Sequence, residues 1–206
     1  MEAFGLFSTP VFVLDPPNMA AFCADVTQRL LAERAKSPGV QASNLGGAWH
    51  STPDLAQRSD PLWQRTVQEV IAGARHAFNE VAASLGIDTT DLDLDYAVQM
   101  WGMVIPTGGY ATVHAHGDAD WSVAFYMDAG DADLEADPAS GTLSFIDPRR
   151  VPPTGHGVPL FPSTFNVRPV TGQLVVFPGW LQHHVHPYRG TRPRVTLSAN
   201  LKLEKS

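Results

Sequence analysis

Two histidine clusters are the residues of this chain best suited to metal chemistry. His114 and His116 form an H-x-H pair, and His183 begins a second cluster, HHVH, further along the chain. Histidine is the commonest metal ligand among side chains, and on an extended strand two residues that are two apart point to the same face. A third histidine from a distant strand would complete three ligands on one side of an octahedral metal, leaving three positions open for chemistry.

The first cluster permits two ligand sets. His116 and Asp118 form a literal H-x-D pair, so His116, Asp118 and His183 compete with His114, His116 and His183 as the three ligands. We favour the set with His114, because Gly117 suits a strand end or a turn better than a strand interior.

The second cluster offers three histidines, but only one face of a strand can contact the metal. Period-two alternation puts His183 on the opposite face from His184 and His186. Three further histidines stand alone, and a lone histidine is more often a structural residue than a ligand. They are His50, His76 and His156.

The first part of the chain predicts helices that support such a site. Hydrophobic residues at three-to-four-residue spacing from Met19 to Leu30 indicate an amphipathic helix. A second helix is predicted to begin near Asp60, a capping residue followed by proline, and to end near Gly86. Cys23, the only cysteine, cannot form an internal disulfide. Its apolar neighbours predict a buried position in the first helix.

From Leu92 onward the hydrophobic period changes to two, which indicates β-strands. Eight runs of β-branched and aromatic residues are separated by Gly, Pro and Asp. They are Tyr96–Ile105, Tyr110–His116, Trp121–Met127, Gly141–Ile146, Thr164–Arg168, Gln173–Phe177, His183–His186 and Arg194–Lys202. This number of strands favours a double-sheet roll or a closed barrel with the helices packed outside. The Pro/Gly-rich segment Pro148–Pro162 is a candidate lid over the site.

Length and charge limit the classes of function. At 206 residues the chain fits one domain with a substantial core. A net charge of −7 and the absence of a Lys/Arg-rich run argue against a nucleic-acid partner. The sequence contains neither an apolar stretch of about twenty residues nor a secretory signal pattern. We therefore expect a soluble, cytoplasmic protein with no membrane partner.

The segment from Trp101 to Asn200 resembles the Fe(II)/2-oxoglutarate-dependent oxygenases, and among them a group of small bacterial members. The resemblance covers about half the chain and rests on the order and spacing of short motifs. These motifs are the HAH pair, an S-x-x-x-Y strand from Ser122 to Tyr126, the turn GTLSFIDP, the segment FPGWLQH ending at His183, and a final R-x-x-x-S-x-N strand over Arg194–Asn200.

This resemblance implies a mainly β fold, a double-stranded β-helix of the jelly-roll, cupin-like type, over residues 91–206. Residues 1–90 would supply an N-terminal strand and the supporting helices of the same single domain, 1–206. The resemblance also selects His114, His116 and His183 as the ligands of Fe(II). The wider superfamily uses an H-x-D/E pair with a distal histidine, so His116 would stand where the carboxylate normally lies.

The resemblance further implies a binding site for 2-oxoglutarate. Arg194 is the candidate that grips the far carboxylate, since a guanidinium offers a planar two-pronged donor that lysine cannot reproduce. Thr196, two residues on and on the same strand face, could add a hydroxyl hydrogen bond. Tyr126 is a third candidate for contact with 2-oxoglutarate.

The implied activity is a 2-oxoglutarate-dependent non-haem iron dioxygenase that hydroxylates a small molecule, an amino acid or a peptide. Two alternatives stay open. Three neutral histidines also describe the zinc site of a metallo-hydrolase or lyase, and the same barrel could be a non-catalytic metal- or ligand-binding, cupin-like protein. A homodimer is an open alternative for the oligomeric state, since symmetric dimers are the commonest oligomers.

Overall fold

The computed structural model describes residues 7–90, 92, 94–149 and 162–205 of the chain. Within these ranges the chain forms a mostly β structure with two α-helices near its start. The helices and strands, in chain order, are β1 (Phe12–Leu14), α1 (Ala20–Arg34), β2 (Asn44–Leu45), β3 (Trp49–His50), α2 (Pro61–Ser84), β4 (Leu94–Ile105), β5 (Tyr110–His114), β6 (Trp121–Asp128), β7 (Leu143–Ile146), β8 (Thr164–Val167), β9 (Leu174–Pro178), β10 (His183–Val185) and β11 (Arg194–Lys205).

The strands form two antiparallel sheets. The larger sheet has the order β1-β9-β6-β11-β4-β3, and the smaller has the order β2-β5-β10-β7-β8. A cavity between them is lined by side chains from both sheets. This arrangement confirms the double-sheet roll that the period-two pattern favoured, and with it the jelly-roll type of double-stranded β-helix that the resemblance implied.

The predicted strands are all present, but several of their ends were wrong. The strand predicted to run through His116 ends at His114, and β4 and β11 extend past their predicted ends to Leu94 and Lys205. Apolar and charged residues in fact keep alternating through both extensions, as in Leu94-Asp95-Tyr96 and Leu201-Lys202-Leu203-Glu204, so the period-two pattern reaches past the predicted ends. Neither β2 nor β3 was predicted, because two-residue strands are too short to show a period.

The two helices pack on the outer face of the larger sheet, as predicted. From α1, Phe22, Val26 and Leu30 join the same buried cluster as Phe125 and Leu197 of the sheet. Burial of each such side chain stabilises the fold by about 1.5–3 kcal/mol. Cys23 is 1% exposed in α1, which confirms its predicted buried position, and burial raises the pKa of its thiol.

The predicted boundaries of α2 are also confirmed, and local hydrogen bonds explain them. The Asp60 side chain accepts from the backbone N–H of Leu62 at 2.9 Å and so caps the first turn. At the other end Gly86 has φ +68°, and the N–H groups of Gly86 and Ile87 donate to the carbonyls of Ala83 and Ala82. This double hydrogen bond ends the helix as a Schellman motif.

Most of the suspected lid, Pro148–Pro162, and with it His156, lies outside the described residues. Of the helices that the structure describes, neither combines the length and the apolar character needed to cross a bilayer.

Candidate metal centre

Three imidazoles converge at one end of the cavity between the sheets. The potential ligand atoms of His114, His116 and His183 all lie within 4.8 Å of one another. The ring centroids are 4.3 Å apart for His114 and His183, 5.0 Å for His114 and His116, and 5.3 Å for His116 and His183. Such spacing lets one ion contact all three rings.

A bulge in β5 places the His114 ring beside the His183 ring. The register pairs His114 with His183 and Ala111 with Val185. Between these pairs β5 therefore advances three residues while β10 advances two. The extra residue bends the strand and re-aims its side chains, so that Ala111 and His114 both line the cavity.

His116 reaches the cluster from beyond the end of β5. Its backbone N–H donates to the carbonyl of Gly179 at 2.7 Å, and the N–H of Ala119 donates to the His116 carbonyl at 3.0 Å. Gly117 and Asp118 form the turn between these bonds, in agreement with the predicted role of Gly117. The shared direction of His114 and His116 thus depends on a fixed loop and not on a continuous strand.

Hydrogen bonds determine the tautomer of two of the neutral rings. Nδ1 of His114 lies 2.7 Å from the carbonyl oxygen of Thr112, and Nδ1 of His183 lies 2.8 Å from that of Leu181. A carbonyl only accepts, so in the neutral ring the proton sits on Nδ1 and the lone pair on Nε2. Metal-binding histidines are commonly oriented in this way.

Burial keeps the three rings neutral. Desolvation, assisted by the neighbouring imidazoles, lowers the pKa of His183 to about 3 and that of His116 to about 4. Desolvation also lowers the pKa of His114. At neutral pH the cluster therefore presents three uncharged nitrogen donors, which need not release protons before they bind a cation.

These low pKa values predict how the stability of the metal-free protein depends on pH. The unfolded chain takes up protons below the ordinary histidine pKa of 6.5, whereas His183 and His116 in the folded chain resist protonation until about pH 3 and 4. The free energy of unfolding should therefore be highest at pH values above 6.5, where both states are neutral at these rings. It should decrease as the pH falls below 6.5, because only the unfolded chain then takes up protons. Urea unfolding of chelator-treated protein between pH 8 and pH 5 measures the slope. His183→Asn should flatten it, and the same change at exposed His76 should not; equal slopes in all three proteins would contradict the prediction.

The opposite end of the same cavity holds a buried, unpaired arginine. The cavity has a volume of about 210 Å³ and extends from the three histidines to Arg194 and Thr196. Arg194 is 2% exposed and forms no ion pair within the described part of the chain. Its Nε, Oγ1 of Thr196 and the hydroxyl of Tyr126 are buried without a hydrogen-bond partner among the described residues.

An unpaired buried charge is costly, and desolvation lowers the pKa of Arg194. The Tyr126 ring offsets part of this cost, because its centroid lies 4.9 Å from the guanidinium carbon. Buried polar groups in native proteins nearly always have partners. Arg194 and Thr196 both line the cavity, so a small anion bound there would supply the partner that their donors lack.

His50 lines the cavity, although sequence reasoning did not place it there. Interpreted from the sequence as an isolated structural histidine, it is 7% exposed. Its ring stacks on Trp101 with centroids 5.4 Å apart and an interplanar angle of 11°. It reaches the cavity only because β3 pairs with β4 opposite Met103. A two-residue strand leaves no sequence signal of that pairing.

The other candidate residues lie away from the convergent rings. Asp118 is exposed in the turn after His116 and is not part of the three-residue cluster. His184 and His186 contact each other with ring centroids 4.5 Å apart. Neither lines the cavity, in keeping with the predicted alternation.

Gly179 should be required for the position of His116. A Cβ on Gly179 would overlap the backbone carbonyl oxygens of Ala119 and His116, which cannot move away without shifting the turn. We expect Gly179→Ala to lower metal affinity by about 10- to 100-fold, the range found when groups that orient metal ligands are altered. A titration with Co(II) followed by visible absorption measures this effect. Gly117→Ala is the control for adding a methyl in the same turn, because a Cβ there meets nothing within 4 Å and the backbone is not left-handed; equal affinities for the two variants would contradict the prediction.

Comparisons with known proteins identify a family and a fold. Residues 99–200 match the model of a family described as "Putative 2OG-Fe(II) oxygenase". No curated protein matches the chain in sequence.

Several solved structures share the fold. A prolyl-4-hydroxylase of Pseudomonas putida is similar over 96% of this chain and 94% of its own, with 16% identity and a TM-score of 0.60. HygX of Streptomyces hygroscopicus, solved with nickel and 2-oxoglutarate, is similar over 94% of this chain and 82% of its own, with 13% identity and a TM-score of 0.60. A prolyl hydroxylase of Trichoplax adhaerens, solved with a peptide fragment, is similar over 95% of this chain and 84% of its own, with 11% identity and a TM-score of 0.57.

Proposed function

Because this chain belongs through residues 99–200 to the 2OG-Fe(II) oxygenase family, whose cofactors are Fe(II) and 2-oxoglutarate, we propose that it hydroxylates a small molecule, an amino acid or a peptide. The observation that carries the proposal is the single cavity that joins three neutral imidazoles to a buried, unpaired guanidinium. In such a cavity one end of a bound dicarboxylate would contact the metal held by the imidazoles, and the other end would contact the guanidinium.

The metal ligands in this proposal are His114, His116 and His183. Three neutral nitrogen donors suit a divalent transition metal, and because Nδ1 of His114 and of His183 is engaged with a carbonyl, Nε2 is the ligand atom that each ring would offer. When bound, iron supplies the oxidising chemistry: 2-oxoglutarate and O₂ are converted to succinate and CO₂ while one oxygen atom is inserted into a C–H bond of the substrate.

Arg194, Thr196 and Tyr126 hold the 2-oxoglutarate in this proposal. The guanidinium donates two parallel, charge-assisted hydrogen bonds to the far carboxylate, and the Thr196 hydroxyl is a further donor. Tyr126 packs its ring against the guanidinium and so restricts its rotation. Apolar side chains, among them Met103 and Phe177, line the cavity between its two ends and exclude water.

The proposal is tested by metal content and by 2-oxoglutarate binding. Protein purified without chelators should contain about one iron per chain, and anaerobic addition of 2-oxoglutarate should produce a visible charge-transfer band. Tightly bound zinc, with no effect of 2-oxoglutarate, would overturn the proposal in favour of a zinc hydrolase or lyase. Metal binding without any O₂ consumption across candidate substrates would favour a non-catalytic binding protein.

The choice between the two ligand sets is tested by a pair of variants. His114→Ala should lose iron, because it removes one of the three convergent rings. Asp118→Asn should keep iron, because the Asp118 side chain is exposed in the turn. The variants should differ in iron affinity by at least about 100-fold, since even groups that merely orient a ligand contribute 10- to 100-fold. The reverse result would assign the metal to His116, Asp118 and His183.

A further inference from the structure

The two longest strands extend past the cavity. β4 and β11 pair over their whole length, whereas β5 of the opposite sheet ends at His114. On the cavity side of β4, Trp101 is buried but Gln99 is exposed; on the same side of β11, Thr196 is buried but Lys202 is exposed. The larger sheet therefore provides an uncovered floor in front of the histidine cluster.

This floor belongs to an open groove that adjoins the buried cavity. The groove has a volume of about 500 Å³, and Gln99, Asn200 and Lys202 lie along its floor. The turn His116–Ala119 forms a wall, and both His116 and Asn200 line the groove and the cavity. Its volume falls within the range of roughly 300–1,000 Å³ for pockets that bind small molecules.

The floor of the groove presents hydrogen-bond donors and a positive charge. Oδ1 of Asn200 accepts from the Ser122 hydroxyl at 2.9 Å, which leaves the amino group of this carboxamide for a ligand. Gln99 lies directly opposite Asn200 in the register of β4 and β11. Lys202 adds an exposed ammonium group two residues further along β11.

The wall of the groove presents the opposite charge. Asp118 is the acidic residue of the turn, and its side chain is exposed. Within the part of the chain that the structure describes, neither Asp118 nor Lys202 forms an ion pair. A ligand in the groove thus meets a free ammonium on one side and a free carboxylate on another.

We propose that this groove binds the substrate of the hydroxylation and that the substrate is a zwitterion, an amino acid or a short peptide with free termini. Its carboxylate would lie against Lys202 and the carboxamides of Gln99 and Asn200, and its ammonium group against Asp118. This inference rests on the proposed oxygenase function, because it places the substrate beside His116. Complementary charges on the two sides of the groove fix the orientation of the substrate and reject analogues that lack either charge.

The test measures binding of charged and blocked ligands. The twenty protein L-amino acids and their glycyl dipeptides are titrated calorimetrically into the Fe(II)- and 2-oxoglutarate-loaded protein under anaerobic conditions. Each compound is compared with its N-acetyl and its C-terminal amide derivative. At least one zwitterion should bind, and each blocked derivative should bind about tenfold more weakly. The inference is overturned if no zwitterion binds, or if blocked and free compounds bind equally.

Variants assign each charge to its residue. Lys202→Met should abolish the preference for the free acid over the amide, and Asp118→Asn should abolish the preference for the free amine over the N-acetyl compound. Glu204→Gln, exposed two residues beyond Lys202 and outside the groove, should keep both preferences. If both groove variants keep both preferences, the groove does not select the substrate by charge.

The two proposals can fail separately. The same wild-type preparation is titrated first with 2-oxoglutarate and only then with the candidate substrates. Failure to bind 2-oxoglutarate would overturn the oxygenase function itself. Binding of 2-oxoglutarate without any preference for zwitterions would overturn only the substrate class.

Discussion

Replacing Arg194 with methionine should weaken 2-oxoglutarate binding more than any other single change in the cavity that leaves the metal ligands intact. The guanidinium is 2% exposed, and no partner for its Nε is found among the described residues. Truncating one partner of a buried, hydrogen-bonded charge pair costs about 2–5 kcal/mol, or on the order of 30- to 5,000-fold in affinity. Anaerobic titration of the charge-transfer band measures the change directly.

Two further measurements separate this role of Arg194 from a purely structural one. Without ligand, Arg194→Met should be at least as stable as the wild type, because the substitution removes a buried charge that lacks a partner. A given excess of 2-oxoglutarate should raise the thermal midpoint of the wild type more than that of the variant. Arg194→Lys should bind with intermediate affinity, since it keeps the charge but loses the planar, two-pronged geometry. A methionine variant that binds 2-oxoglutarate normally would contradict the assignment.

Replacing His183 with alanine should abolish iron binding. His183 is 5% exposed, lies opposite His114 in the strand register, and is held by the bond from its Nδ1 to the Leu181 carbonyl. Groups that merely orient a metal ligand contribute 10- to 100-fold to affinity, so loss of the ligand itself should cost more than about 100-fold. Metal analysis after dialysis against Fe(II) under anaerobic conditions provides the measurement.

His184→Ala is the matched control for this change, because His184 is the adjacent residue on the same strand and lies outside the convergent cluster. It should keep the iron content and the 2-oxoglutarate-dependent absorption of the wild type. Loss of iron in His184→Ala with retention in His183→Ala would show that the strand presents its other face to the metal. Circular dichroism of both variants should match that of the wild type, since neither change alters the backbone pairing of β10 with β5 and β7.

Local patterns in the sequence determined much of the architecture. Helix α2 was predictable at both ends because capping by Asp60 and the positive φ of Gly86 act within a few residues. The strand order along the chain followed from period-two burial, which is also a local property. The H-x-H pair, the distal histidine and the arginine could be named as candidates because residue type and spacing are written in the sequence.

The tertiary structure decided how these candidates meet. The bulge in β5 that turns His114 toward His183, and the loop bond that holds His116, both depend on partners more than sixty residues away along the chain. The place of His50 in the cavity wall likewise follows from strand pairing and has no periodic signal.

The unpaired state of Arg194 and the uncovered ends of β4 and β11 are also properties of the assembled sheets. The sequence specifies which side chains share a face of each strand, because the local backbone points successive side chains to opposite faces. Which of those side chains are left without a partner depends on where the opposite sheet ends, and strand pairing over long separations fixes that boundary only in the folded molecule.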